Sequence, residues 1–329
     1  MHYAYLEEGK ISVEPVCYEP DHIEQVLTEI RANFHKCFRK FVETENGHSL
    51  DENGLGKLAK KFNVQKSTKN KNVDIKAILT RIIDEEVNSF ENDRHNYLEF
   101  LDLEYLEEYK TDPPDFKNTV LRNQCPIIRY TLQNKKAKEL DKYRKAFKYS
   151  DPKELLDAVF NITNFAMGYA ENTLDQADFE NAKTVEDLKF SELNKEDYVV
   201  YGVIGGGIRS HFMYKLFPYI FPNRSRDAVW ALWYLTEKKP FSCKQDSEFL
   251  MIELNDSITQ QNYFYPYDLF SFYAIQILNL LKIEVKNNGV KIPEQYKFVF
   301  VDTFLSFIAK EHQGEINDLK RKVKDDGYN

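Results

Sequence analysis

The chain has 329 residues, of which 45 are basic and 53 acidic, so its formal net charge is −8. Hydrophobic residues make up 42 % and aromatic residues 14 %, which is enough for a substantial core and too much for a disordered chain. The 12 glycines and 11 prolines exclude a collagen-like or linker-like chain. The acidic balance argues against a protein whose whole surface coats nucleic acid or an anionic membrane.

The N-terminal sequence and the cysteines predict a cytoplasmic protein. No basic segment followed by an apolar run opens the chain, so we expect no secretory signal. The cysteines lack the CxxC spacing of metal sites, which predicts neither a disulfide framework nor a zinc site and fits a reducing compartment. They are Cys17, Cys37, Cys125 and Cys243. The most apolar stretch, residues 263–283, is interrupted by polar residues that include Asp268, Ser271, Gln276 and Asn279. It predicts a buried helix, so we expect no membrane span.

The first half of the chain is predicted to be helical after an initial hairpin. The hairpin would pair residues 3–6 with residues 10–16 around a Glu8-Gly9 turn. Asp151 followed by Pro152 is a typical helix start, because aspartate caps free N–H groups and proline is tolerated at the first helical position. Apolar residues recur at steps of three and four, as in amphipathic helices, over residues 21–42, 74–90, 97–109, 135–147 and 152–169.

The second half is predicted to add a small sheet. An apolar run at residues 198–204 predicts a strand, which leads through glycines into a helix. Residues 266–281 are predicted to form a long buried helix. Asn287-Asn288-Gly289 favours a hairpin turn, because asparagine and glycine tolerate positive φ. Short apolar runs predict strands at residues 249–254, 283–286, 290–292 and 297–301.

These elements predict an α+β fold that is predominantly helical, with a small antiparallel or mixed sheet. We expect an N-terminal hairpin and helical region over residues 1–150 and a C-terminal α+β domain over residues 151–329. The second domain would carry the candidate site.

The candidate site begins at the triple glycine Gly205-Gly206-Gly207. Glycines before a helix let the backbone approach an anion, and the first free N–H groups of the helix point at it. Arg209 and Ser210 would add a charged fork and a hydroxyl, and His211 a general acid or base beside a bound phosphate. The pattern matches neither the dinucleotide fingerprint nor the P-loop. The alternative is that the glycines allow close helix packing or form a hinge.

Arginine usage strengthens the anion-site hypothesis. Only 11 of the basic residues are arginines, yet Arg209, Arg224 and Arg226 fall within 18 residues. The planar guanidinium matches phosphate geometry. Trp230 follows directly, and basic residues interleaved with aromatic ones suit single-stranded nucleic acid. The alternative is that the aromatic residues are core and the arginines pair with local carboxylates.

A second hypothesis for catalysis is a restriction-type nuclease. Such enzymes hold Mg²⁺ with an acidic residue and an acid-x-Lys pair on adjoining strands. Glu284 and Lys286 form such a pair, with Asp246, Glu248 or Glu253 as the preceding acid. Solvated charges beside a turn are the alternative, since the tripeptide is common by chance. Mg²⁺ is the cofactor only under this hypothesis, and apart from it no metal site is predicted.

The leading functional hypothesis is an intracellular protein that binds or processes a phosphate-bearing ligand, with nucleic acid favoured. A non-enzymatic scaffold is the rival, because residues 84–115 carry twelve acids against two bases and residues 122–148 carry nine bases against two acids. It would dock protein partners or self-associate through these faces. An enzyme on a small anionic metabolite is the third hypothesis. A closed cavity would favour the metabolite, and an open basic groove a polymer.

Overall fold

Helices account for 77 % of the structure. The computed structural model describes residues 6–7, 10–11, 13–45, 74–173, 179–243, 248–249, 251–254, 257–260 and 265–322. The α-helices of the described residues are α1 (Pro20–Glu45), α2 (Ile75–Leu98), α3 (Leu103–Glu108), α4 (Pro113–Asp115), α5 (Pro126–Gln133), α6 (Asp141–Tyr149), α7 (Pro152–Asn172), α8 (Gly206–Leu216), α9 (Arg226–Leu235), α10 (Tyr267–Asn287), α11 (Lys297–Glu311) and α12 (Gln313–Lys322). A π-helix, Phe116–Gln124, continues α4.

The predicted α+β class is wrong. The strands among the described residues form two separate antiparallel pairs, β1 (Leu6–Glu7) with β2 (Lys10–Ile11) and β3 (Met251–Leu254) with β4 (Ser257–Gln260). No larger sheet is present in the described part of the chain. The β1–β2 pair lies where the N-terminal hairpin is predicted, although residues 3–5 lie outside the described residues and Pro15–Tyr18 is a 3₁₀-helix. The division into two domains stays a prediction.

Three of the four predicted late strands are wrong, and helices α10 and α11 occupy two of them. Residues 283–286 lie inside α10 and residues 297–301 inside α11, while residues 290–292 form an irregular connection. Both helices bury most of their surface, so they lack the amphipathic stripe that distinguishes a helix from a strand in a short apolar run. Gly289 has φ +73°, as expected for glycine after a helix end, so the predicted hairpin turn is a helix terminus.

Side-chain capping determines several helix starts. Asp151 accepts from the backbone N–H groups of Lys153 and Glu154, with Pro152 at the first position of α7, so this predicted start is confirmed. Asp74 caps α2, and Ser225 caps α9 by accepting from Ala228 N–H. These caps satisfy N–H groups that have no partner within the helix.

The core lies where the first long helix meets the last ones. Helix α1 packs against α9, α10 and α11, and α9 packs closely on α11. Phe41 of α1 stands among three rings of α11, with ring centroids 6.1, 5.7 and 5.3 Å from Phe300, Phe304 and Phe307. Such aromatic clusters bury a large apolar area and stabilise the contact beyond area burial alone. None of the helices described has the length and apolarity that a membrane span requires.

Candidate functional site

The N-terminus of α8 has the features of an anion-binding helix start. The predicted strand before it is instead a tight turn, closed by one antiparallel bridge between Val200 and Ile204. Gly205 is the N-cap residue and is extended, with φ −101° and ψ −174°. The helix then begins at Gly206, with no side-chain cap and no acidic residue in its first turn. Its first N–H groups therefore lack the side-chain acceptors that usually satisfy them.

The three glycines leave room above this turn. A Cβ built on Gly205 or Gly207 meets no atom within 4 Å, so there is open space beside both. Gly206 is different, because a Cβ there would lie 2.8 Å from Nη1 of Arg224. Gly205 is exposed and Gly206 and Gly207 are half-buried, so the turn is reached from solvent.

Two buried arginines lie at this helix start. Arg209 is 5 % exposed and Arg224 is 1 % exposed. Nη1 of Arg209 donates to the backbone carbonyl of Leu193, while its Nε has no hydrogen-bond partner among the described residues. Burial lowers the pKa of Arg209 to about 10. Burial, together with the positive charge of Arg209, lowers the pKa of Arg224 to about 9.

The acidic residue whose charge acts on Arg209 is Asp268 of α10. Its carboxylate is engaged elsewhere, since it accepts from the Tyr18 hydroxyl at 3.0 Å and from the Asn194 side-chain amide at 3.1 Å. No ion pair within 4.0 Å joins a carboxylate of the described residues to Arg209. The helix start thus combines two buried guanidinium groups, and no carboxylate of the described residues forms an ion pair with Arg209.

The other predicted ligand-binding residues are Ser210, Trp230 and Arg226, and the first two are buried. The Ser210 hydroxyl is buried and donates to the Gly207 carbonyl, so it is already used inside the helix. Trp230 is 0 % exposed and packs on Trp233 in the core, so its ring is not available for base stacking. Arg226 is exposed as the first residue of α9.

His211 lies on the wall of a separate cavity of about 410 Å³, formed by α2, α8, α11 and Asn223. The Asn223 side-chain amide donates to both carboxylate oxygens of Asp302, at 3.2 and 3.3 Å. His211 packs edge-on against Tyr97, with ring centroids 5.1 Å apart.

The titrating groups of the cavity are strongly shifted. Burial raises the pKa of Asp302 to about 7, so this carboxyl is close to half-protonated at neutral pH. Burial and the nearby Lys215 lower the pKa of His211 to about 3, so the imidazole stays neutral. The Lys215 ammonium is paired with Asp93 at 2.7 Å. The Asp302 carboxyl can therefore accept or donate a proton near neutral pH, whereas the His211 imidazole stays neutral.

The described residues do not place the predicted nuclease pair on a strand. Glu284 and Lys286 lie on helix α10 and not on a strand, and Glu284 contacts His35 at 3.2 Å on the surface. The restriction-type hypothesis needs this pair on a strand, and that predicted position is therefore wrong. Asp246 lies outside the described residues.

Sequence reasoning missed Asp302 and Asn223. Asp302 interrupts the apolar run of residues 298–305, and a single acidic residue inside a buried helix is a signal of a satisfied or functional carboxylate.

No family model, no curated protein and no solved structure matches this chain.

Proposed function

We propose that this protein binds a small phosphate-bearing ligand at the N-terminus of α8. The observation that carries the proposal is the pair of buried arginines, Arg209 and Arg224, at an uncapped helix start. The guanidinium charge of Arg209 and the positive end of the helix dipole have the same sign there, so their repulsion opposes the empty state. An anion would offset this repulsion and accept from the free N–H groups.

A small ligand is favoured over nucleic acid by the burial of these groups. Contact with a polymer requires exposed cations, and base stacking requires exposed rings. Arg209, Arg224 and Trp230 are all buried, while the open space lies beside Gly205 and Gly207. A phosphate group on a small molecule would fit this space better than a nucleic-acid strand.

The test is a calorimetric titration of inorganic phosphate, pyrophosphate, mononucleotides and a single-stranded oligonucleotide into the full-length protein. Gly207→Ala is the main variant, because its methyl group would enter the open space without striking the protein. We expect phosphate and the mononucleotides to bind the wild-type protein saturably. The variant should bind them at least about tenfold more weakly, a loss of about 1.4 kcal/mol.

Gly168→Ala is the matched control, since Gly168 lies inside helix α7 and a Cβ there also meets nothing within 4 Å. It should leave phosphate binding unchanged. Absence of saturable binding to the wild-type protein, or equal affinity in Gly207→Ala, would contradict the proposal. Either result would favour the scaffold hypothesis, in which charged helical faces dock partner proteins. Binding restricted to the oligonucleotide would favour nucleic acid.

The cavity supports a second candidate function, an enzyme on a small polar metabolite. The specific observation is Asp302, whose carboxyl titrates near neutral pH and is held by Asn223 on the cavity wall. Such a carboxyl is suited to general acid–base catalysis. A ligand hydroxyl or amino group could pair with the Asp302 carboxyl on the cavity wall.

The two sites are distinguished by a panel of sugars and nucleosides, each with and without a phosphate. Ligand-induced rises in melting temperature that Asp302→Asn abolishes and Gly207→Ala leaves intact would assign binding to the cavity. The opposite pattern would assign it to the α8 N-terminus. If no unphosphorylated compound raises the melting temperature, the cavity candidate fails.

We also retain the proposal that the protein is cytoplasmic. The four cysteines, all at described positions, are unbridged, which fits a reducing compartment.

A further inference from the structure

Four side chains with metal-binding atoms converge at a largely buried point, where residues 17–22 meet residues 243–248. They are Cys17 from the 3₁₀-helix before α1, His22 from the first turn of α1, Cys243 from the segment after α9, and Glu248. Their ligand atoms all lie within 4.8 Å of one another. Cys17, His22 and Glu248 are 1, 3 and 0 % exposed. The sequence predicts no zinc site, because these four residues are too far apart in the chain to form a local motif.

The sulfur spacing fits a shared metal ion better than a disulfide. Sγ of Cys17 lies 3.8 Å from Sγ of Cys243. A disulfide requires about 2.05 Å. Two thiolates on a tetrahedral Zn²⁺, each bonded at about 2.3 Å, lie about 3.8 Å apart. The backbone therefore already holds the two sulfurs at the separation that a tetrahedral zinc site requires.

Glu248 is oriented as a ligand that offers one oxygen. Its Oε1 accepts from the hydroxyls of Tyr265, at 2.8 Å, and Tyr273, at 3.2 Å. Its Oε2 contacts Nε2 of His22 inside the cluster. Hydrogen bonds to the outer atom of a carboxylate fix its direction, as in the outer shell of many metal sites.

The charges of the cluster also favour a bound cation. His22 is the one basic side chain among the described residues that pairs with Glu248. A divalent ion would neutralise the Glu248 carboxylate and bind the two sulfurs as thiolates. Leaving this buried carboxylate with a single histidine is costly in comparison.

We propose that Cys17, His22, Cys243 and Glu248 bind one Zn²⁺ ion. Sulfur and imidazole ligands favour zinc over Mg²⁺ or Ca²⁺, which take oxygen ligands. Four protein ligands complete a tetrahedral shell, so the site is structural and leaves no position for substrate. The ion joins the segment before α1 to a segment 226 residues later in the chain.

The first test is the zinc content of the full-length protein, purified without chelator and measured by mass spectrometry. We expect about one zinc per chain. Cys17→Ser and Cys243→Ser should lose it. Cys37→Ser and Cys125→Ser are the matched controls, because neither cysteine belongs to the cluster, and both variants should keep it. Tyr265→Phe should weaken zinc affinity by about 10- to 100-fold, since it removes one hydrogen bond to Glu248.

The second test uses the wild-type chain alone and does not depend on whether the variants fold. Co²⁺ in place of zinc should give a sulfur-to-cobalt charge-transfer band and the intense visible bands of tetrahedral coordination. Absence of zinc together with absence of saturable Co²⁺ uptake by the reduced protein would overturn the proposal. So would retention of zinc in Cys17→Ser, or a Cys17–Cys243 disulfide in a chain that binds no metal after reduction.

Discussion

The guanidinium of Arg224 occupies the position that a side chain on Gly206 would need, with Nη1 only 2.8 Å from a Cβ built there. Gly206→Ala should therefore destabilise the protein by about 1–3 kcal/mol, because Arg224 is 1 % exposed and has little room to retreat. Gly207→Ala, one residue later, should be neutral or stabilising. Urea unfolding of both variants measures this contrast, and equal stabilities would show that Arg224 moves freely.

Gly202 is constrained both by its backbone and by a neighbouring helix. Its φ is +76°, and a Cβ would lie 2.8 Å from Cβ of Ala146 in α6. Gly202→Ala should cost about 1–3 kcal/mol of unfolding free energy. In an Ala146→Gly background the cost should be smaller by at least about 0.5 kcal/mol, and the remainder reports the backbone strain alone. A cost that is the same in both backgrounds would assign the whole effect to φ.

The stability of the protein should depend on pH through two opposing groups in the cavity. The pKa of Asp302 rises from 3.8 to about 7, so its contribution is present below pH 4 and is lost as the pH rises towards 7. The pKa of His211 falls from 6.5 to about 3, so its contribution is present above pH 6.5 and is lost as the pH falls towards 3. Between about pH 4 and 6.5 the two slopes have opposite signs and offset each other.

In the Asp302→Asn variant, the contribution of His211 to the pH dependence of the unfolding free energy should no longer be offset. The unfolding free energy of this variant should rise with pH between 4 and 6.5, relative to the wild type, by up to about 1.4 kcal/mol per pH unit. His211→Gln should show the opposite relative trend. Denaturant unfolding at several pH values, with both variants compared in the same buffers, measures the slopes. Parallel curves for Asp302→Asn and the wild type would mean that Asp302 does not titrate in this range.

The Lys215–Asp93 pair should respond unequally to loss of either partner. Lys215 is 4 % exposed, lies 2.7 Å from Asp93, and stands 4.4 Å from the ring centroid of Phe90. Asp93→Asn leaves the ammonium buried without its carboxylate and should cost about 1–3 kcal/mol, reduced because Asp93 is itself 41 % exposed. Lys215→Met keeps the apolar stem and should cost less. Thermal unfolding of the two variants decides the order, and a larger cost for Lys215→Met would contradict it.

Local signals in the sequence predicted the elements that depend on local chemistry. The Asp151-Pro152 start and the helix after the triple glycine are confirmed, because each depends on neighbouring residues. The strands predicted at residues 283–286 and 297–301 are wrong because α10 and α11 are buried on several sides, and a short apolar run fits a strand or a helix equally well.

The candidate site was predictable only in part, because its members come from distant positions. The cluster of arginines that follows the glycines predicts Arg209 and Arg224 as site residues, and the structure brings both to the α8 N-terminus. Trp230 is buried, and Asn223 forms a hydrogen bond with Asp302. Both features depend on how α8, α9 and α11 pack, which no local sequence pattern encodes. The Cys17 and Cys243 sulfurs meet across 226 residues, so no spacing rule reveals them.

The packing of α1 against α9, α10 and α11 also has a consequence for synthesis on the ribosome. Helix α1 ends at Glu45, and its last three partners begin only at Arg226. At about 5–20 residues per second, the 180 or so intervening residues delay these partners by roughly 10–40 s. During that interval the apolar face that includes Phe34, Phe38 and Phe41 lacks these partners and is exposed to chaperones or to aggregation.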